Sequence, residues 1–156
     1  MPEILVLGVG NVLLTDDGVG VHAVRELVRE SWPDTVTLLD AGTFTQDAFY
    51  LFKTCGTLLV LDSVRAGGRP GTLYRLTEGH LVQKRSLRLS IHDIDLLDSL
   101  RMAEHMYGAR PEMLIVGMEP ANHTTWSMEL SPAARSAFPG FVELARREIR
   151  RISGMA

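Results

Sequence analysis

Short apolar runs recur along the chain, and each stops at a glycine or an aspartate: Glu3–Leu7 at Gly8, Val36–Leu39 at Asp40, Thr57–Leu61 at Asp62 and Met113–Val116 at Gly117. Runs that are apolar at nearly every position, rather than at alternate ones, suit strands covered on both faces, as in parallel or mixed sheets. Between them lie stretches of helical period. From Gly18 to about Glu30, Val21, Val24, Leu27 and Val28 share one face while Arg25, Glu26, Arg29 and Glu30 take the other, and Pro33 closes the helix. Ser90 is an N-cap candidate for a helix over Ile91–Tyr107 that ends at Gly108, and a short helix is expected over Gln46–Lys53. Ser131-Pro132 opens a C-terminal helical region expected to break at Pro139-Gly140, and Thr72–Leu76 reads as an edge strand. Strands alternating with helices predict an α/β fold, a three-layer sandwich whose mostly parallel twisted sheet carries helices on both faces.

At 156 residues the chain fits one domain, 1–156. The single cysteine, Cys55, excludes an intramolecular disulfide and a CxxC metal site, and its apolar setting suits a buried thiol in a reducing compartment. No apolar run approaches membrane-spanning length, and the first residues lack a basic segment followed by a long apolar one, so a cytoplasmic protein without membrane association is expected. The net charge of -3 and pI near 5.9, with basic residues gathered at 84–88 and 146–151 instead of interleaving with aromatics, argue against nucleic acid as a partner. The arginines at 146–151 suit a solvated face at the negative end of a helix dipole.

The first run leads into Gly8-Val9-Gly10-Asn11-Val12-Leu13-Leu14-Thr15-Asp16-Asp17-Gly18-Val19-Gly20. This opens like a nucleotide-binding loop, yet leucine stands where the third glycine of GxGxxG belongs, no lysine serves a phosphate-binding loop, and two carboxylates would repel phosphate. No GxSxG elbow is present, and Cys55 has no motif around it, so covalent acyl chemistry lacks a nucleophile.

Carboxylates instead follow the strands: Asp17 after the first and its loop, Asp40 after the second, Asp62 after the third. Ligands of open α/β sheets bind outside the carboxyl ends of the strands, so these acids share one crevice if strand order permits. Each could alternatively cap a helix. Clustered carboxylates call for a proton or a cation, and a metal ion is the economical cation. Of the five histidines, His92 stands at a helix start facing such a crevice, whereas His22 lies within a helix, His80 in a polar loop and His105 late in its helix. A neutral imidazole with two carboxylates is a ligand set suited to borderline divalent metals such as zinc or nickel.

The glycine-asparagine block, Asp40-Ala41-Gly42-Thr43, Asp62 at its strand end, Ser90-Ile91-His92 and Val116-Gly117-Met118-Glu119-Pro120 together resemble, in kind and order, the endopeptidases that mature the large subunit of NiFe hydrogenases. The resemblance spans Leu5 to Pro120. It implies metal recognition by Asp17, Asp62 and His92, with Asp16 as the alternative first ligand if the loop is shifted by one residue. It places Asp40, Gly42 and Thr43 at substrate recognition, and it gives Gly8, Gly10 and Asn11 the shaping of the loop that delivers Asp17. The implied activity is removal of a C-terminal extension from the hydrogenase large-subunit precursor after nickel insertion, the nickel being supplied by the precursor's own site. Which groups act on the peptide bond is left open. A nickel-sensing chaperone that docks without cutting, and a metal hydrolase of small molecules, are the alternatives. His123 and Trp126, in Asn122–Trp126, have no assigned role.

Overall fold

The computed structural model describes residues 3–43, 50–83 and 91–155, the side chains at 82–83 and 91–93 excepted. Five strands, β1 (Glu3–Val9), β2 (Val36–Gly42), β3 (Cys55–Ser63), β4 (Leu73–Thr77) and β5 (Glu112–Met118), form one sheet in the order β2-β1-β3-β5-β4. All pairings are parallel except β4 with β5, so β4 is the antiparallel edge strand expected near Thr72–Leu76. The helices are α1 (Val19–Leu27), α2 (Glu78–Gln83), α3 (Ile91–Tyr107) and α4 (Pro132–Ser153), and a 3-10 turn over Thr15–Gly18 leads into α1.

Side chains of the central strands alternate between two cores. Ile4, Val6, Leu59, Leu61, Leu114 and Val116 face α1 and α4. On the other side Leu5, Leu7, Leu58, Val60, Met113 and Ile115 pack with Phe52 and with Leu96, Leu100 and Ala103 of α3. The sheet is therefore the middle of three layers, and each fully buried Leu or Ile contributes about 1.5–3 kcal/mol through removal from water. Cys55 belongs to the second core; burial pushes its thiol up to about 11, and Sγ donates to Thr57 O at 2.9 Å.

The strands run further than the apolar runs, because backbone pairing continues past the last large side chain: β5 passes through Gly117, which pairs with Asp62. A Cβ at Gly117 would lie 2.3 Å from Val64 Cγ2, so glycine there lets the chain leaving β3 cross closely. α1 ends at Leu27 rather than Glu30, its Leu27 carbonyl taken by the indole N–H of Trp32 at 2.8 Å. The helix over Ile91–Tyr107 is found as expected, closed by Gly108 at φ 76. Its candidate cap Ser90 lies outside the described residues, as does the first half of the Gln46–Lys53 segment, whose residues 50–53 form a 3-10 turn.

Three expectations are corrected. α4 does not break at Pro139-Gly140 but runs continuously, with Pro139 inside it. The lost backbone bond and ring clash, a penalty of about 3 kcal/mol, are outweighed by the buried face of Ala134, Phe141, Val142, Ala145 and Ile149. The arginines of α4 are not merely solvated: Arg146 bonds both oxygens of Glu30 at 2.9 Å and also bonds Glu143, while Arg151 bonds Glu148. His80 sits in α2 rather than a loop, and its Nδ1 accepts from Thr77 N at 3.0 Å, which caps that helix.

Candidate active site

β1 lies between β2 and β3, so chains leaving it at Gly8 and Val9 emerge beside Asp40 on one flank and Leu61-Asp62 on the other. This is the carboxyl-end crevice where ligands of such sheets bind. Glycines set its walls. A Cβ at Gly20 would lie 1.9 Å from Leu61 O, and one at Gly8 would lie 2.5 Å from Val24 Cγ1, so these two positions let α1 rest directly on the sheet. Gly10, at φ 128, would place a Cβ 1.9 Å from Asp17 O. The loop is thus folded back tightly on the turn that holds the two carboxylates. Asn11 N donates to Asp17 Oδ2 at 2.8 Å, and Asn11 Oδ1 accepts from Leu13 N at 2.9 Å, which fixes the turn as an Asx motif.

The adjacent aspartates have separate environments. Asp16, 1% exposed, accepts at Oδ2 from Ala121 N (2.9 Å), Asn122 N (3.2 Å) and the Ser131 hydroxyl (2.7 Å), and at Oδ1 from Ser131 N (2.8 Å). Both of its oxygens are occupied in joining the 3-10 turn to the segment between β5 and α4. Asp17, next in the chain, is half-buried and points to the Asn11 side. Thr15 adopts φ 53, a left-handed conformation costly for a β-branched residue, and is held there by Thr15 N donating to Ser127 O at 2.9 Å and Oγ1 donating to Thr125 O at 2.6 Å.

Asp62, next to last in β3, is 1% exposed, with Oδ1 accepting from Ser63 N at 2.8 Å. A carboxylate so deep in the protein favours a nearby cation. Asp40 is more open: Oδ1 accepts from Gly42 N at 3.1 Å, and Oδ2 pairs with Arg25 Nε at 3.1 Å. Gly42, at φ 54, and Thr43 line a hollow of about 230 Å³ together with Gly10, Asn11, Arg25 and Asp40. His92 is in the first turn of α3, and its side chain lies outside the described residues. Among the described residues no three His, Cys, Asp or Glu side chains gather as a metal cluster. Asp17, on the turn that follows β1, and Asp62, near the end of β3, supply carboxylates of the kind that would suit a divalent borderline ion were an imidazole to join them.

Two groups without an assigned role in the sequence support this region. Glu119, 6% exposed, accepts at Oε1 from Ala66 N (2.9 Å), Gly68 N (2.9 Å) and the Tyr74 hydroxyl (2.8 Å), which clasps the loop after Asp62. Burial and the Glu119 carboxylate push the Tyr74 phenol up to about 12. Ser131 bonds Asp16 and also caps α4, accepting from Ala134 N at 3.2 Å. The only sequence signal for Ser131 is its N-cap position, and Glu119-Pro120 stands out solely through the family-like block. Burial and, less strongly, Arg25 lower the pKa of the His22 imidazole, against the opposing pull of Asp40.

A profile of the hydrogenase maturation protease family, HycI, matches residues 21–148. The chain is 33% identical over 153 residues to the hydrogenase expression/formation protein HupD of Rhizobium leguminosarum bv. viciae, covering 96% of this chain and 75% of that one. Its fold superposes on the hydrogenase maturating endopeptidase HybD of Escherichia coli with a TM-score of 0.83 at 30% identity, covering 96% of this chain and 93% of the other. The [NiFe] hydrogenase maturation protease HybD of Thermococcus kodakarensis shares the fold at a TM-score of 0.77 and 23% identity, over 94% of this chain and 99% of that one. With its three-layer sandwich and its carboxylates at the strand ends, the chain belongs to the hydrogenase maturation protease family.

Proposed function

We propose that this protein is a processing endopeptidase that removes the C-terminal extension of the NiFe-hydrogenase large-subunit precursor after nickel insertion. The observation that carries the reading is the neighbouring placement of β1 and β3, with Asp62 next to last in β3 and the Asp17 turn folded back on the loop that leaves β1, in a chain of this family. Asp17, Asp62 and His92 would contact the nickel, which arrives as part of the substrate; zinc or another borderline divalent ion is compatible with the same donors. Asp16 is a poor ligand because four hydrogen bonds already occupy its carboxylate.

A bound divalent ion supplies positive charge that can polarise a carbonyl or lower the pKa of water. The protein's own contribution is placement. The glycines admit the loop that carries Asp17, Asn11 orients that carboxylate, and Asp40, Gly42 and Thr43 line the hollow beside it, where the chain flanking the cut would lie. No thiol nucleophile competes for the role, since Cys55 is buried and protonated at neutral pH.

The test mixes the protein with its host's large-subunit precursor, loaded with nickel or empty, and follows the mass of the products, with His92→Ala and Asp62→Asn variants in parallel. Release of a defined C-terminal peptide from the loaded precursor alone, lost in both variants while they remain folded, is the expected result. Binding without release in every condition would replace the protease reading with that of a nickel-sensing chaperone.

A further inference from the structure

We propose that the surface along α1 is a peptide channel that seats the precursor's C-terminal extension in an extended conformation, with Met128, Leu130 and Phe138 receiving its apolar side chains. This rests on the endopeptidase reading above and adds to it the site of the removed segment.

Arg25 lines two neighbouring hollows. The first, beside the candidate active site, runs from Asn11 and Gly42 to Arg25. The second, of about 270 Å³, holds His22, Arg25, Glu26 and Arg29 and is walled by Met128, Leu130 and Phe138. α1 begins at Val19, directly after the Asp17 turn, so a path along it leads away from the carboxylates. His22 and Arg25 lie about one turn apart on α1, about 4.5 Å along its axis at 1.5 Å per residue, and Arg29 follows two residues past its end at Leu27.

Exposed apolar side chains stand along this path: Leu13 lines the first hollow and is 45% exposed, Met128 lines the second and is 62% exposed, and Trp126, two positions before Met128, is 73% exposed. They stand on two segments fastened together, Ser127 N donating to Leu13 O at 2.9 Å and Thr15 N donating to Ser127 O at 2.9 Å, with Asp16 bonded to the same segment from below. Large side chains left in water on so fixed a frame mark a contact surface. Because Arg25 lines both this hollow and the one that holds Asp40 and Gly42, the extension, covalently attached to whatever sits there, is the occupant within reach of it. The exposed Arg29 at the far end suits a carboxylate on that segment.

The experiment uses a dye-labelled synthetic peptide of the extension and, separately, the mature large subunit lacking it, each titrated against the wild-type protein and a Trp126→Ala/Met128→Ala variant. Arg29→Glu is a second variant, and thermal melts check that both remain folded. The peptide is expected to bind the double variant about tenfold more weakly, a loss of about 1.4 kcal/mol, and Arg29→Glu more weakly too. Binding of the mature subunit should not shift by that factor. Equal peptide binding in all proteins, an equal loss for the mature subunit, or a dimer of the free protein dispersed by Trp126→Ala/Met128→Ala would overturn the channel. Peptide binding that depends on Trp126 and Met128, in a protein that never cuts the precursor, would sink the protease reading and leave the channel standing.

Discussion

Asp16 and Ser131, 115 positions apart, share two short hydrogen bonds, Ser131 N to Oδ1 at 2.8 Å and the Ser131 hydroxyl to Oδ2 at 2.7 Å. The same hydroxyl accepts from Ala134 N, so one buried carboxylate fixes both the turn before α1 and the start of α4. An acidic pair in a glycine loop is thereby divided: one member holds the frame, and its half-buried neighbour accepts from Asn11 N.

This division separates the two phenotypes. Asp16→Ala leaves four donors without their acceptor in a site 1% exposed, and a loss of about 3 kcal/mol or more is expected. Asp17→Asn, at a half-buried position, should change stability by less than about 1 kcal/mol while abolishing peptide release from the precursor. Urea melts paired with the mass assay distinguish the two, and equal destabilisation by both substitutions would refute the assignment.

Gly10→Ala tests the fold-back of the loop. The new Cβ meets Asp17 O at 1.9 Å and the backbone sits at φ 128, so both clash and strain apply, together about 2–4 kcal/mol. Gly67→Ala is the control, since φ 84 there has nothing within 4 Å of the added carbon and only the left-handed penalty of about 1 kcal/mol remains. Melting temperatures of the two variants should differ in that order, with cleavage lost only for Gly10→Ala.

The layers and most element positions were legible in the sequence because they follow from local period: buried strands read as apolar runs, and Ile91–Tyr107 carries its own stop at Gly108. What escaped was set by distant partners. Nothing near Asp16 distinguishes it from Asp17; the distinction comes from Ala121, Asn122 and Ser131. Pro139 reads as a breaker until Phe141 and Ile149 are seen buried against the sheet. The three donors on Glu119 come from residues 66, 68 and 74, brought together only when β4 pairs with β5. At the candidate site, Asp40 and Asp62 could be placed at strand ends from sequence, whereas the Arg25 pairing to Asp40 depends on how closely Gly8 and Gly20 let α1 approach.

Glu119 and Tyr74 should behave as a coupled pair. Tyr74→Phe removes one donor and leaves two backbone bonds to the carboxylate, at a cost of about 1 kcal/mol, while Glu119→Ala orphans the amides of Ala66 and Gly68 and costs about 2–3 kcal/mol. A double-mutant cycle should return a coupling of about 0.5–1.5 kcal/mol, and additive losses would argue that the phenol and carboxylate act independently.

Acid sensitivity provides a further test, centred on Glu148. Burial opposes its ionisation, but the bonds from Arg151 and Arg75 outweigh burial, so its carboxyl ionises below the ordinary value. Arg75 Nε reaches Oε1 at 2.7 Å and Arg151 Nη2 reaches Oε2 at 2.7 Å, while Glu148 itself is only 10% exposed. An unfolded carboxyl titrates near about 4.3, so the stabilisation is complete above that pH. As pH falls through that value the unfolded chain takes up the proton first, and the stabilisation fades until the native value is passed. Glu148→Gln should therefore be less stable than wild type by about 1–2 kcal/mol at pH 7, a figure kept modest because both arginines retain solvated edges. Urea melts from pH 7 to pH 3 should show that difference narrowing only below about pH 4.3; a gap that stays constant into the acid range would mean that the charge on Glu148 is not what holds β4 to α4.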